Sequence, residues 1–199
     1  MAMTALILYI VWASLAFGWR TIEQRRRTGD SGLRLHAQPN TPQWWAKIGF
    51  GVAILVGFAA PIAAVAGLPN INALDTTWLH TAGIAVTFIG IVLTVAAQSS
   101  MGESWRIGVD ADERTELVTD GAFRLVRNPI FTAMLITATG LAMIIPNVIS
   151  ILGLVALVVA LEVQVRLVEE PYLRTVQGAE YRAYAQSAGR FAPGIGRIR

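Results

Sequence analysis

Five long apolar runs, separated by polar and charge-bearing stretches, dominate the chain. They fall at about 4–19, 46–68, 78–97, 130–145 and 148–168. Several approach the ~20 residues that an α-helix needs to cross a bilayer, and the first and fourth are the shortest. Only Pro146 and Asn147 separate the last two. Proline does not continue a helix comfortably, so that break predicts a helical hairpin. The expected fold class is therefore all-α: a polytopic membrane protein with five transmembrane helices in a single membrane domain, the last two a hairpin, followed by a helical C-terminal tail.

The opening run, "MAMTALILYIVWASLAFGWR", has no basic residue before it and no small-residue cleavage pattern. A secretory signal peptide normally carries both, so this run is read as a retained first span. Arg20, Arg25, Arg26, Arg27, Arg34 and Lys47 lie around the first connection. Arg106, Arg114, Arg124 and Arg127 lie between the third and fourth runs. Arg166, Arg174, Arg182, Arg190, Arg197 and Arg199 follow the last, and these account for all 16 basic residues. Five spans place the three groups on one side, which the positive-inside rule makes cytoplasmic, with the N-terminus outside. The expected location is the inner (plasma) membrane. Trp19, Trp44, Trp45 and Trp78 fall at span ends, where amphipathic rings favour the interface.

Composition agrees. The chain of 199 residues is 54% hydrophobic and 15% charged, with mean hydropathy +0.53. A soluble domain carries about a quarter charged residues. The net charge of +3 needs no nucleic acid; Arg25–Arg27 can hold anionic headgroups, worth ~1 kcal/mol per residue. Without cysteine there is no disulfide, thiol nucleophile or thiolate metal site. His36 and His80 stand far apart, and no metal site is expected.

Three polar clusters carry candidate chemistry: Ser104 to Gly121, Phe123 to Phe131 and Leu161 to Gly196. In the third, Glu162, Arg166, Glu169 and Glu170 recur at helical spacing and are expected to share a face. Charges at membrane depth are costly unless they face protein or water, which makes them functional candidates. The plainer account is mutual neutralisation, Glu162 with Arg166 and Arg166 with Glu170. Pro171 disfavours a helical Glu170, so a kink is expected there. In "RNP", Asn128 reads as a helix cap with Pro129 in the first turn. Arginines beside helix-terminal N–H groups suit a carboxylate or phosphate.

"LVTDGAFRLVRNPIF" followed by "EEPYLRTVQGAEYRAYAQSAGRFAPGI" resembles the isoprenylcysteine carboxyl methyltransferase and phospholipid methyltransferase superfamily. The matching pieces are Leu117–Arg124, Arg127–Phe131, Glu169–Glu170, Gly178–Tyr184 and Arg190–Pro193, and the resemblance spans roughly residues 80 to 196. Asn128 stands where prenylcysteine enzymes usually have His, Phe131 where Tyr is common and Ala133 where Gly is frequent. The resemblance implies an integral-membrane enzyme that uses S-adenosylmethionine without a soluble nucleotide-binding domain. By the same resemblance, Leu117, Val118 and Gly121 supply backbone contacts to the cofactor. Phe123, Arg127, Asn128, Pro129, Phe131, Glu169, Glu170, Tyr181, Tyr184 and Arg190 line its site. Arg127, Glu169, Glu170 and Glu162 are the catalytic candidates.

The chemistry is compatible. Arginine suits the carboxylate of S-adenosylmethionine, glutamate its amine or sulfonium side, and an aromatic ring the adenine. In-line positioning alone can lower the barrier by ~7–11 kcal/mol, so no nucleophilic side chain is required. A carboxylate acceptor (pKa about 4) is already ionised, whereas a thiol (about 8.5) or amine (about 10) needs a base, for which Glu162 is the candidate. The expected acceptor is a small lipophilic or amphipathic molecule entering from the bilayer. The alternatives are an NADPH-dependent membrane reductase of the sterol-reductase type and a non-enzymatic membrane scaffold or transporter.

Overall fold

The protein is described by a computed structural model covering residues 1–34, 36–108 and 117–198. Arg114, Arg199 and the stretch 109–116 of the polar loop lie outside the described residues. Each apolar run forms a helix: α1 (Ala2–Thr28), α2 (Pro42–Val65), α3 (Thr77–Ser100), α4 (Pro129–Ile144) and α5 (Val148–Gln164). A π-helical turn, Val165–Glu169, joins α5 to α6 (Glu170–Ser187) in a 40-residue rod that bends at Gly178. Among the described residues, four helices are long and apolar enough to cross a membrane: α1, α2, α3 and the α5–α6 rod. α4, with 16 residues, is shorter, at ~24 Å against a hydrocarbon core of ~30 Å.

Small residues set the packing. A Cβ on Gly83 would come within 2.8 Å of Gly140 O and Ile144 N, and one on Gly90 would collide with Thr137. Hence α3 and α4 run antiparallel with their backbones nearly touching, the close approach that small residues permit in lipid. The hydroxyls of Thr87, Thr94 and Thr137 in this seam donate to the carbonyls of Gly83, Gly90 and Ala133 four residues back, so none stays unsatisfied. α2 and α5 pair the same way through Gly57 and Gly153. α1 lies against α2, where Tyr9 Oη donates to Ile54 O at 2.6 Å and Phe17 meets Phe50. These antiparallel pairs bring the C-terminal ends of α1, α3 and α5 and the N-terminal ends of α2 and α4 together at one end of the bundle.

The expected hairpin is present. Asn147 is fully buried, caps α5 by accepting from Ser150 N at 2.8 Å, and reaches Ala60 O on α2 at 3.3 Å. The helix that carries the first apolar run passes through a π-turn at Ser14–Trp19 and continues beyond it to Thr28, so Arg25–Arg27 are helical. One expectation is corrected. Glu170 is not a kink, with φ −61 and ψ −44. The preceding π-turn accommodates Pro171 by shifting the hydrogen-bond register. The bend falls instead at Gly178, whose φ of 55 and ψ of −118 only glycine adopts readily.

Candidate active site

At the shared end of the bundle, the chain before α4 is sewn to the chain after α6. Arg127 N donates to Gly189 O at 2.7 Å, Gly189 N to Leu125 O, and Asn128 N to Arg190 O. Asn128 sits at the capping position, but its side chain accepts no hydrogen bond from the helix. Its Nδ2 instead donates to Arg190 O at 3.1 Å, correcting the expected cap. Pro129 opens α4 as expected.

Arg127 is buried, and both terminal nitrogens of its guanidinium are bonded, while its Nε has no hydrogen-bond partner among the described residues. Nη1 donates to Ala185 O and Ala188 O, while Nη2 donates to Gly196 O and, at 2.8 Å, to Glu170 Oε1. Glu170 also receives Arg190 in bidentate fashion at 2.7 and 3.1 Å, and Arg174 at 3.5 Å. Three guanidinium groups therefore converge on one buried carboxylate. The Glu170 hydrogen bond raises the pKa of Arg190 above its already high ordinary value, so this arginine stays charged. Tyr184 Oη closes the cluster by donating to Phe123 O at 2.6 Å, with the buried Tyr181 ring edge-on beside it.

Sequence-predicted site residues thus divide. Phe123, Arg127, Asn128, Pro129, Glu170, Tyr181, Tyr184 and Arg190 come together in this clasp. Gly121 begins the turn that contains Phe123, against Ser100 of α3. Leu117 and Val118 are half-buried just before it. Phe131 packs into the hydrophobic interior of the bundle. Glu162 pairs with Arg166 on an exposed face, as the plainer account expects, but Arg166 does not reach Glu170. The predicted single-face stripe is broken because the π-turn rotates Glu169 and Glu170 relative to the residues before them.

Glu169 is different from its neighbour. It accepts one hydrogen bond, from Gln164 Nε2 at 3.0 Å, and among the described residues it has no ion pair. Residues five apart do not face each other on an α-helix but do across a π-turn, so no helical-periodicity argument could find Gln164 as its partner. Deeper in the bundle, α1, α2, α4 and α5 leave a narrow apolar cleft lined in part by Tyr9, Trp12, Ile54, Met134, Leu141 and Leu157.

Comparison with known proteins accords with this arrangement. The sequence profile of phospholipid methyltransferases matches residues 78–180. The chain belongs to this family. It is an integral-membrane methyltransferase. Among its relatives is protein-S-isoprenylcysteine O-methyltransferase B of Arabidopsis thaliana, 26% identical over 139 residues, covering 69% of this chain and 70% of the relative. The A form from the same plant is 28% identical over 146 residues, covering 72% and 73%. A nickel-cobalt-cadmium resistance protein, NccN, of Alcaligenes xylosoxydans xylosoxydans is 25% identical over 126 residues, 63% of this chain and 56% of the relative. In fold, the chain is similar to the eukaryotic intramembrane Ras methyltransferase ICMT, with a TM-score of 0.63 at 19% identity, covering 98% of this chain and 70% of that one.

Proposed function

We propose that this methyltransferase moves a methyl group from S-adenosylmethionine to a lipophilic or amphipathic acceptor at the cytoplasmic face of the plasma membrane. The observation that carries the reading is the inequality of the two adjacent glutamates. Glu170 is neutralised by Arg127, Arg174 and Arg190, whereas Glu169 keeps acceptor capacity and has no ion pair among the described residues. An uncompensated carboxylate beside a closed-off clasp fits a cationic group, and the donor's amino-acid end carries an ammonium. When bound, the donor supplies an activated methyl carbon open to in-line attack. The chain's own part is to hold the ammonium on Glu169 and to use Arg127 and Glu170 to keep residues 185–196 folded over the site. It also keeps water away, which strengthens those contacts.

Glu162, engaged with Arg166, is assigned no proton transfer here; an acceptor already ionised at neutral pH, such as a carboxylate, needs none. The relatives' names, isoprenylcysteine methyltransferases, support a lipophilic acceptor. The basic residues gathered at the site end support the cytoplasmic placement.

The test is transfer of tritiated methyl groups from S-adenosylmethionine into organic-extractable material by membranes containing the protein. Label should appear with the wild type and with Glu162→Gln, and fall about tenfold or more with Glu169→Gln, the cost of one charge-assisted hydrogen bond. Label equal in all three would refute the assignment of Glu169.

A further inference from the structure

With 27 residues, α1 is ~40 Å long against a hydrocarbon core of ~30 Å, and the charged turns from Arg20 onward are the part that stands beyond the core. One side of these turns is fixed to the protein. Arg20, buried, donates to Gly102 O at 2.5 Å, and its guanidinium stands 4.9 Å from the centre of the Trp105 ring. Gln24, one turn further on and also buried, donates to Glu103 O at 2.7 Å. The opposite side is bare. Trp19 is 43% exposed and Ile22 53%, and with the exposed Arg26 they recur at i, i+3 and i+7, on the face away from Arg20 and Gln24. Arg25 is exposed beside them. Glu23 pairs with Arg27 at 2.5 Å and Asp30 with Arg34 at 2.8 Å, which leaves Arg25 and Arg26 without an ion pair among the described residues.

An exposed indole where a helix leaves the bilayer favours the headgroup level, and Trp45, exposed in the first turn of α2, stands at the same end of the neighbouring helix. Arg25 and Arg26 begin ~9 Å beyond Trp19 along the helix axis, and an arginine stem is long enough to fold its charge back toward a phosphate. We propose that this face of α1 docks an anionic phospholipid. Arg25 and Arg26 hold its phosphate by charge-assisted hydrogen bonds, and Trp19 and Ile22 pack against its glycerol and first acyl carbons. An acidic protein would match the two arginines but not the indole at the headgroup level below them. Because Arg20 and Gln24 fix the far side of the helix, the docking face is preformed and little ordering is needed on binding. This surface lies outside the residues assigned to the methyl donor, and the proposal stands independently of that reading.

The full-length protein in detergent is titrated with phosphatidylglycerol and with phosphatidylcholine of the same acyl chains, and bound lipid is counted by native mass spectrometry. The wild type should bind phosphatidylglycerol saturably and more tightly than phosphatidylcholine. In Arg25→Gln/Arg26→Gln the affinity for phosphatidylglycerol should fall at least about tenfold, with phosphatidylcholine unchanged. Both side chains are exposed, so the variant keeps its fold, which an unshifted melting temperature checks. Arg124→Gln/Arg182→Gln removes two exposed arginines elsewhere at the same end and should leave the lipid affinity nearly unchanged. Excess inorganic phosphate should not displace the lipid. Equal losses in the two double variants would overturn the proposal, because bulk charge rather than this face would then attract the lipid. Displacement by inorganic phosphate would overturn it in favour of a site for a free anion. Phosphatidylglycerol bound no better than phosphatidylcholine would overturn it too, and would leave an acidic protein as the partner for Arg25 and Arg26.

Discussion

Removing Arg127 leaves Glu170 short of a buried partner and frees the carbonyls of Ala185, Ala188 and Gly196 together. Breaking such a buried pair costs about 3–5 kcal/mol, so Arg127→Ala should lower thermal stability sharply and open residues 185–196 to protease. Glu162→Gln breaks only a half-exposed pair and should cost less than about 1 kcal/mol. The contrast separates two arginine–glutamate pairs that look alike in the sequence. Spacing alone marks 162/166 as an i,i+4 pair, which it is; nothing local marks Arg127 and Glu170, 43 residues apart, as partners. Asp30 gives a pH-dependent counterpart outside the bundle. The Arg34 guanidinium and the Gly32 N–H hold its carboxyl at about 2, below the ordinary 3.8. The contribution of this turn to stability is present above pH ~4 and disappears as the pH falls through about 2. Amide exchange at 30–34 should therefore accelerate over that interval and lose the dependence in Asp30→Asn.

At the scale of elements, hydropathy locates the helices because lipid demands long apolar runs with internally satisfied backbones. What it cannot locate is where a helix changes register. The π-turns at Ser14–Trp19 and Val165–Glu169 leave no compositional trace, yet the second decides that Glu170 enters the clasp while Glu169 stays outside it. Helix pairing is more legible in retrospect, since Gly83, Thr87, Gly90 and Thr94 line one side of α3. Adding a methyl to Gly90 forces it into Thr137, whereas a methyl on Gly51 meets nothing within 4 Å. Gly90→Ala should therefore lower the melting temperature, at an overpacking cost of about 1–3 kcal/mol. Gly51→Ala should leave it unchanged or raise it slightly; equal effects would contradict the packing described for α3 and α4.

Over the whole molecule, the bundle supplies a lipid-embedded frame, and the residues proposed to carry the chemistry collect where loops and tail meet at one end. The absence of cysteine makes orientation directly measurable. In intact cells, Ser187→Cys, at the last residue of α6, should resist a membrane-impermeant thiol reagent, and Asn72→Cys, in the loop between α2 and α3, should react. The reverse pattern would put the site on the outer face. The motif resemblance and the charge pattern carry the family and the site end; the division of labour between Glu169 and Glu170 needs the fold. The central claim proposed on that division is that the protein binds a methyl donor through Glu169. Calorimetric titration of the purified protein with S-adenosylhomocysteine tests this most directly, with Glu169→Gln and NADPH as comparisons. The account predicts saturable binding by the wild type, at least about tenfold weaker binding by the folded variant, and none of NADPH. A well-folded wild type that ignores S-adenosylhomocysteine, or a Glu169→Gln variant that binds it equally well, would contradict it.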